Sequence, residues 1–200
     1  MKDKTFLILL IVSILFSCAP FSKKVVIDNQ IVLKKESVSK LNGTYEVGSI
    51  KAIRKFENLQ PRLIENDSLN SFSLFENLKE TNQELREDIK NNIKNYQVKI
   101  YIENDNTISF SLLKNDIKID SIKMNYKIRK DGFIYLKNKN FRTEWVPVLC
   151  GNFEVDRTKI GINNDDNLII SNSYFIYGAI LVIIGDTRKS NFSSEYKRKI

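Results

Sequence analysis

From Gln97 onward, apolar and polar residues alternate with a period of two. The apolar residues of the first two such segments are Val98, Ile100 and Ile102, then Ile108, Phe110 and Leu112. Successive side chains of a β-strand point to opposite faces, so this spacing predicts strands with one buried face. The polar run between the segments, residues 103–106, is typical of a hairpin turn. The pattern therefore favours antiparallel strands over helices.

The phase of the alternation changes in the third segment. Ile117 and Ile119 occupy odd positions, whereas the apolar residues that follow occupy even ones, namely Ile122, Met124, Tyr126 and Ile128. A shift of one residue turns every later side chain to the other face, which predicts a β-bulge near residues 120–121. The pair Asp131-Gly132 then predicts the next hairpin turn.

Further strands are predicted at regular spacing. Their ranges are 133–138, 141–149, 153–162, 168–172, 175–184 and 192–199, separated by breaks at 138–140, 163–167 and 185–191. With a first strand that follows the turn pair Asn42-Gly43 and ends near Ile53, the total is about ten strands. We expect a mainly β domain, an antiparallel meander that closes into a barrel because closure removes exposed edges. A two-sheet β-sandwich is the alternative.

Residues 54–95 have a different pattern. Asn70-Ser71 is a helix-capping sequence ahead of the apolar residues of 72–78. Leu85, Ile89 and Ile93 then recur at every fourth position among charged residues, as on an amphipathic helix. This segment predicts one or two short helices inserted after the first strand.

The N-terminal residues are typical of a secretory signal. A net-positive start is followed by an apolar run from Phe6 to Phe16, which is too short to cross a bilayer as a helix. The run ends in Leu15-Phe16-Ser17-Cys18, which resembles a bacterial lipobox. That resemblance implies a signal peptide of residues 1–17 and a diacylglyceryl group on Cys18. An ordinary signal peptide followed by an incidental cysteine is the alternative.

The predicted anchor also indicates where the protein resides. Two or three acyl chains hold a protein stably on a membrane, whereas one chain holds it only marginally. Ala19 follows the cysteine, and residues 20–24 lack the acidic cluster of surface-export signals. We therefore expect a lipid-anchored protein of the bacterial cell envelope, on the periplasmic side of the outer membrane. Residues 18–40 form a lipidated arm whose apolar runs pack onto or pair with the domain, which comprises residues 41–200.

Composition narrows the classes of function. The chain has 200 residues, a formal net charge of +8 and no histidine. Without histidine, Ser-His-Asp and Cys-His catalysis and the usual zinc sites are excluded. We identify no catalytic residue, metal ligand or cofactor. The basic charges are scattered, which argues against nucleic-acid binding. If Cys18 is acylated, Cys150 is unpaired, and its apolar context indicates a small buried residue.

Three segments are candidate sites. Phe141, Thr143 and Trp145 share a strand face that lines a ligand cavity or fills the core. Residues 174–184 are apolar on both strand faces, so they are covered on both sides or form a docking edge for a partner. Residues 163–167 are rich in Asn and Asp but lack the ligand spacing of an EF-hand loop, which indicates a polar turn rather than a calcium site.

The order of these elements resembles known proteins. A lipobox, the opening Leu41-Asn42-Gly43-Thr44-Tyr45, Ser-Leu-Phe-Glu-Asn-Leu at 73–78 and a meander are together similar to small lipoproteins of Gram-negative bacteria. Gly43-Thr44-Tyr45 also resembles the Gly-x-Trp start of lipocalins and fatty-acid-binding proteins, although tyrosine replaces the tryptophan. This resemblance implies binding of a small apolar or amphipathic ligand, at residues the sequence does not identify. An interaction subunit of an envelope protein complex is the alternative function.

Overall fold

The computed structural model describes residues 21–23, 25, 27, 29–57, 59–64, 73–137, 140–146, 150–180 and 184–199. Within these ranges, the side chains of 140–146, 150–153, 178–180 and 184–186 are not described. The predicted signal peptide 1–17 and the predicted lipid attachment site Cys18 lie outside the described residues.

Ten strands account for most of the described chain. They are β1 (Gly43–Phe56), β2 (Arg62–Ile64), β3 (Tyr96–Asn104), β4 (Thr107–Lys114), β5 (Ile117–Ile128), β6 (Ile134–Leu136), β7 (Asn140–Val146), β8 (Cys150–Ile162), β9 (Leu168–Ile180) and β10 (Ile184–Lys199). Among the described residues between β2 and β3 there is one α-helix, α1 (Gln83–Asn91), and short 3-10 helices lie at Lys35–Leu41 and Ile93–Asn95. The predicted mainly β class is therefore confirmed.

All the strand pairings are antiparallel, and the sheet closes on itself. Neighbouring strands pair in the order β1, β3, β4, β5, β6, β8, β9 and β10, and β10 pairs again with β1. Strand β2 adds to β1 and β7 adds to β8 outside this ring. The ring is barrel-like, which agrees with the predicted meander and its closure.

The inner face of the ring carries the main core. Every strand of the ring contributes alternate apolar residues to one contiguous cluster, as the period-two pattern predicts. Its largest fully buried side chains are those of Tyr45, Tyr96, Tyr126, Tyr196, Phe75 and Phe110. The interior of this part of the ring is therefore filled by side chains.

Short helical segments cover the core next to the two ends of β3. The 3-10 helix Lys35–Leu41 buries Val38 and Leu41, and Asn42 beside it accepts a hydrogen bond from the Ile102 amide. At the other end of β3, the Tyr96 hydroxyl donates to Asp88 of α1. Helix α1 begins where the Asn82 side chain accepts from the Leu85 amide, and it buries Ile89. The predicted amphipathic helix is confirmed.

The predicted bulge is present in β5. Leu112 pairs with Asp120 but Leu113 pairs with Lys118, so Ile119 is the extra residue. The insertion leaves Ile117 and Ile119 exposed and keeps the even-numbered apolar residues that follow on the inner face. The Asp131-Gly132 turn is also confirmed, because the Gly132 amide donates to Arg129 O and Gly132 has a φ of 78°.

Two predicted strand boundaries are wrong. Residues 173–174, the gap between the predicted strands 168–172 and 175–184, continue β9, since Ser173 pairs with Arg157 on one side and Asn191 on the other. The polar stretch 185–191 belongs to β10 and pairs residue by residue with β9. Cross-strand partners on both strands outweigh the turn propensity of Gly, Asp, Ser and Asn.

The helical region also differs in detail from the prediction. Residues 73–79 form hydrogen-bonded turns, in which the Asn77 amide donates to Ser73 O and the Lys79 amide to Phe75 O. These turns place Leu74, Phe75 and Leu78 in the core without completing a helix. Strand β2, which pairs three residues with β1, was not predicted.

The N-terminal arm packs onto the domain as expected. Val25, Ile27 and Leu33 are buried. The Ile31 amide donates to Ile162 O at 2.8 Å, and the Leu33 amide donates to Gly132 O at 3.1 Å. The first part of the arm therefore lies on the outer face of the sheet, where Ile27 packs with Phe133 and Ile169, whereas Leu33 joins the main core.

Candidate functional site

The inner face of β8 and β9 changes from apolar to polar along its length. Ile160 and Ile162 of β8 lie in the core, but Thr158, Asp156 and Glu154 continue the same strand face. We call this region the polar inner face and define it by Thr158, Asp156 and Glu154 of β8, Asn172 and Tyr174 of β9, Arg54 and Phe56 of β1, and Phe192 of β10. Asp156, Glu154 and Tyr174 are half-buried rather than enclosed.

A hydrogen-bond network separates the polar inner face from the core. The Asn77 Nδ2 donates to the Tyr196 hydroxyl at 2.8 Å and to Ser73 O at 3.0 Å. The Asn172 Nδ2 donates to Asn77 Oδ1 at 2.8 Å, and the Ser194 hydroxyl donates to the Tyr196 oxygen at 2.9 Å. Burial raises the pKa of Tyr196, so its hydroxyl stays protonated. The turn at 73–79 is thereby joined to β9 and β10.

One acceptor in this network is left open. Asn172 Oδ1 is buried and has no hydrogen-bond partner among the described residues. Its amide cannot be reversed without loss, because Asn77 Nδ2 is used by Tyr196 and Ser73, which leaves Asn77 Oδ1 to accept from Asn172. A buried acceptor without a donor costs about 1–3 kcal/mol. The atom is enclosed by the protein, so a donor on a bound molecule would remove that cost only where neighbouring side chains moved aside.

The carboxyl group of Asp156 lies on the same face. Burial raises its pKa, the neighbouring Glu154 adds to the rise, and a hydrogen bond from the Arg157 backbone opposes it. A carboxylate in this position is poorly solvated, so a cation or a strong donor beside it would be stabilising.

The opposite side of the polar inner face combines a guanidinium with aromatic rings. The Arg54 Cζ lies 5.5 Å from the centroid of the Phe56 ring and 5.7 Å from that of Phe192. Phe192 is buried, whereas Phe56 is 50% exposed. The face therefore offers apolar ring surface on β1 and β10 and acceptor oxygens on β8 and β9.

We expect Asn77→Ala to destabilise the domain by about 1–3 kcal/mol. The change leaves the Asn172 amide without its acceptor and the Tyr196 hydroxyl without one of its donors. Thermal unfolding should show a fall in Tm of about 3–10 °C. Asn92→Ala is the matched control, since the Asn92 side chain donates to Asp88 at the exposed end of α1 and its removal should cost less than about 1 kcal/mol. Equal losses in the two variants would contradict the role of the network.

A second cluster of charges lies on the outer face beneath the arm. Lys159 is only 6% exposed, and its Nζ lies 3.9 Å from the centroid of Phe133 and 5.0 Å from that of Phe21. Burial lowers the pKa of this lysine, while Asp131, 3.7 Å away, opposes the change. The stem and amine of Lys159 join the arm to the sheet, which is a structural role.

The polar turn predicted at 163–167 is confirmed. Its first and last residues, Asn163 and Asn167, both donate side-chain hydrogen bonds to Glu195 Oε1, at 2.7 and 2.8 Å. Glu195 is 8% exposed and is satisfied by these donors. Across the described residues, no group of three or more Cys, Asp or Glu is arranged to hold a metal ion.

Several of the other predicted site residues, or their side chains, are outside the described part of the chain. Cys18 is not among the described residues, and neither are the side chains of Phe141, Thr143, Trp145 and Cys150. The backbone of β7 pairs Phe141 with Val155, a residue of the outer face. Of residues 174–184, those up to Ile180 belong to β9 and Ile184 begins β10, while 181–183 lie outside the described residues.

No protein-family model matches the chain, and no curated protein matches it. Within the described part, no helix is long and apolar enough to span a membrane.

Proposed function

We propose that the protein is a lipid-anchored protein of the bacterial cell envelope whose β domain binds a small amphipathic ligand on the polar inner face. The observation that carries the binding proposal is the half-buried carboxyl group of Asp156, which lies on the same face as the exposed Phe56 ring and the enclosed acceptor Asn172 Oδ1. The anchor is supported by the Leu15–Cys18 lipobox sequence. The expected location is the periplasmic side of the outer membrane.

The groups on this face favour a particular chemistry of ligand. Asn172 Oδ1, Asp156 and Glu154 accept hydrogen bonds or pair with a cation, whereas Phe56 and Phe192 offer apolar contact. The core below is already filled by tyrosine and phenylalanine side chains. We therefore expect a ligand that lies on the face, with a cationic or hydrogen-bond-donating head group near β8 and β9, rather than an alkyl chain buried deep in the ring.

Titration with simple amphiphiles tests this proposal. The unacylated chain from residue 19 onward is titrated by calorimetry with decylamine, decyl glucoside and decanoate, which share a chain and differ in head-group charge. Decylamine should bind most tightly and decanoate most weakly, because the two carboxyl groups of Asp156 and Glu154 outnumber the one cation of the face, Arg54. Equal affinities for the three would contradict the polar inner face as the binding site.

Asp156→Asn should weaken decylamine binding by about tenfold, since it removes the carboxylate that pairs with the ammonium group. The same change should raise stability near pH 7. A carboxyl group whose pKa is raised on folding contributes stability only in its protonated form, and that contribution is lost as the pH rises above about 3.9, the value in the unfolded chain. The Tm should therefore rise near pH 7 and stay unchanged near pH 3.

Asp116→Asn is the matched control for this variant. Asp116 is exposed in the turn between β4 and β5, so its replacement removes the same charge far from the polar inner face. It should leave the affinity for decylamine unchanged. If both variants weaken binding equally, net charge rather than the site explains the affinity.

The alternative function, an interaction subunit of an envelope complex, is favoured by a different observation. Phe56, Leu59 and Leu63 around the β1–β2 connection are each at least half exposed. The arm, in contrast, is already used within the chain, because Val25, Ile27 and Leu33 are buried against the domain. Crosslinking in membranes from positions 59 and 63 tests this alternative, and recovery of no reproducible partner would count against it.

A further inference from the structure

The described part of the arm begins at Phe21, close in sequence to the predicted lipid attachment site. The Ser22 amide donates to Asn191 Oδ1 at 2.9 Å, and the Phe21 ring meets the Tyr135 ring edge-on at a centroid distance of 5.4 Å. Phe21 is three residues after Cys18. Three extended residues span at most about 11 Å, so the anchor and the outer face around Tyr135 are close neighbours.

That outer face is basic. Arg129 lies 4.2 Å from the centroid of the Tyr135 ring, Arg157 lies 5.4 Å from that of Phe21, and Lys127 is the cross-strand neighbour of Tyr135. We define the basic outer face by Lys23, Lys127, Arg129, Lys137 and Arg157. All except the half-buried Arg157 are exposed. Asp131, which accepts from the Tyr135 hydroxyl at 2.6 Å, is the acidic residue within it.

Some of the charges elsewhere on the domain are balanced in ion pairs. Lys114 pairs with Asp88, Lys123 with Glu103, and Lys79 with Asp120. Lys127 and Lys137 have no ion-pair partner within the described part of the chain. Their charges are therefore available to an external anionic surface.

We propose that the basic outer face docks on the anionic surface of the membrane that holds the anchor. The proposal rests on the lipid anchor of the proposed function. Cationic side chains within about 8–10 Å of an anionic bilayer are attracted to it before salt screens the field. Because Phe21 contacts Tyr135 on this face and lies three residues after Cys18, acyl chains at Cys18 would bring this face close to the membrane. The domain is then oriented on the membrane instead of rotating freely about its anchor.

Lysine modification on vesicles tests the orientation. The acylated protein is reconstituted into phosphatidylcholine vesicles, with or without about 30% phosphatidylglycerol, and lysines are modified with an amine-reactive reagent. Mass spectrometry follows Lys127 and Lys137, with the exposed Lys90 and Lys118 as internal controls. On anionic vesicles, Lys127 and Lys137 should react at least about threefold more slowly than on neutral vesicles, and about 0.5 M salt should abolish the difference. Lys90 and Lys118 should react equally on both.

A charge-reversal pair separates docking from local effects. Lys137→Glu should reduce the protection of Lys127 on anionic vesicles, and the matched Lys118→Glu should leave it unchanged. Equal rates at Lys127 on neutral and anionic vesicles, for protein that remains bound through its acyl chains, would overturn the docking proposal alone. Absence of acyl chains on the purified protein would overturn the anchor and the docking together. Protection of Lys127 in native membranes but not on anionic vesicles would assign the face to a protein partner and overturn the proposal.

Discussion

Cys18→Ala should abolish incorporation of a fatty-acid analogue and release the protein completely from its acyl anchor. If the lipobox is read as we expect, Cys18 is the residue that carries the acyl chains. Each buried CH₂ contributes about 0.8 kcal/mol to membrane binding, so the loss of two or three chains removes nearly all of the affinity. The β domain should still fold, because its described buried apolar residues begin at Val25 and include no residue of the predicted signal. Metabolic labelling and fractionation of membranes by density measure these outcomes.

Cys150→Ala is the matched control for the anchor, since it removes the other thiol of the chain. It should retain the label and the cut N-terminus, whereas Cys18→Ala should accumulate uncut precursor. If wild-type protein takes up no label and Cys18→Ala still fractionates wholly with the membrane, the lipobox prediction is wrong. An ordinary secreted protein with a leftover thiol would then explain the N-terminal sequence.

Gly132→Ala should destabilise the domain by about 2–4 kcal/mol, the sum of backbone strain and a steric contact. Gly132 has a φ of 78°, a region that side chains other than glycine rarely adopt. A Cβ there would stand 2.6 Å from the Cα of Val32 in the arm, and backbone cannot yield as a flexible side chain can. The Tm should fall by about 5–15 °C, and proteolysis should cut the arm before the rest of the domain.

Gly43→Ala provides the comparison. A Cβ at Gly43 would meet the guanidinium of Arg198 at 2.8 Å, the mobile end of a long side chain. The backbone of Gly43 needs no positive φ, so the loss should be under about 1–2 kcal/mol. An equal loss in the two variants would show that the close approach of the arm to Gly132 is not what makes that position sensitive.

The strongly periodic parts of the fold could be predicted from the sequence. The even-numbered apolar residues of β3 and β4 lie on the inner face, and the phase change in β5 marks the bulge at Ile119. These predictions succeed because burial of one face fixes the register of a strand. The stripe of Leu85 and Ile89 succeeded for the same reason, with helical spacing.

Other features depend on partners that are distant in sequence. Ser173 reads as a turn residue until Arg157 and Asn191 are known to be its neighbours. The polar inner face had a signal, since Thr158 and Asp156 keep the even spacing of Ile160 and Ile162. A search for alternating apolar residues does not detect that signal. The Asn172–Asn77 contact joins residues 95 positions apart, so the sequence pattern gives no sign of it. The docking of the arm was predicted, but its position across β8, β9 and β10 required the structure.

The closure of the ring by β10 has a consequence for how the chain folds. Strand β1 pairs with β3 on one side and with β10 on the other. Across the β1–β10 pairing, Thr44 lies opposite Lys199 and Phe56 lies opposite Ser190. Because the partners are so far apart in sequence, this last pairing waits until nearly all of these residues have been synthesised. Before that pairing forms, β1 and β9 each have an unpaired edge, and unpaired edges promote aggregation of an incompletely folded chain. If the protein is exported, as we propose, the delay is an advantage, because a chain that cannot close its barrel early stays unfolded until it has crossed the membrane.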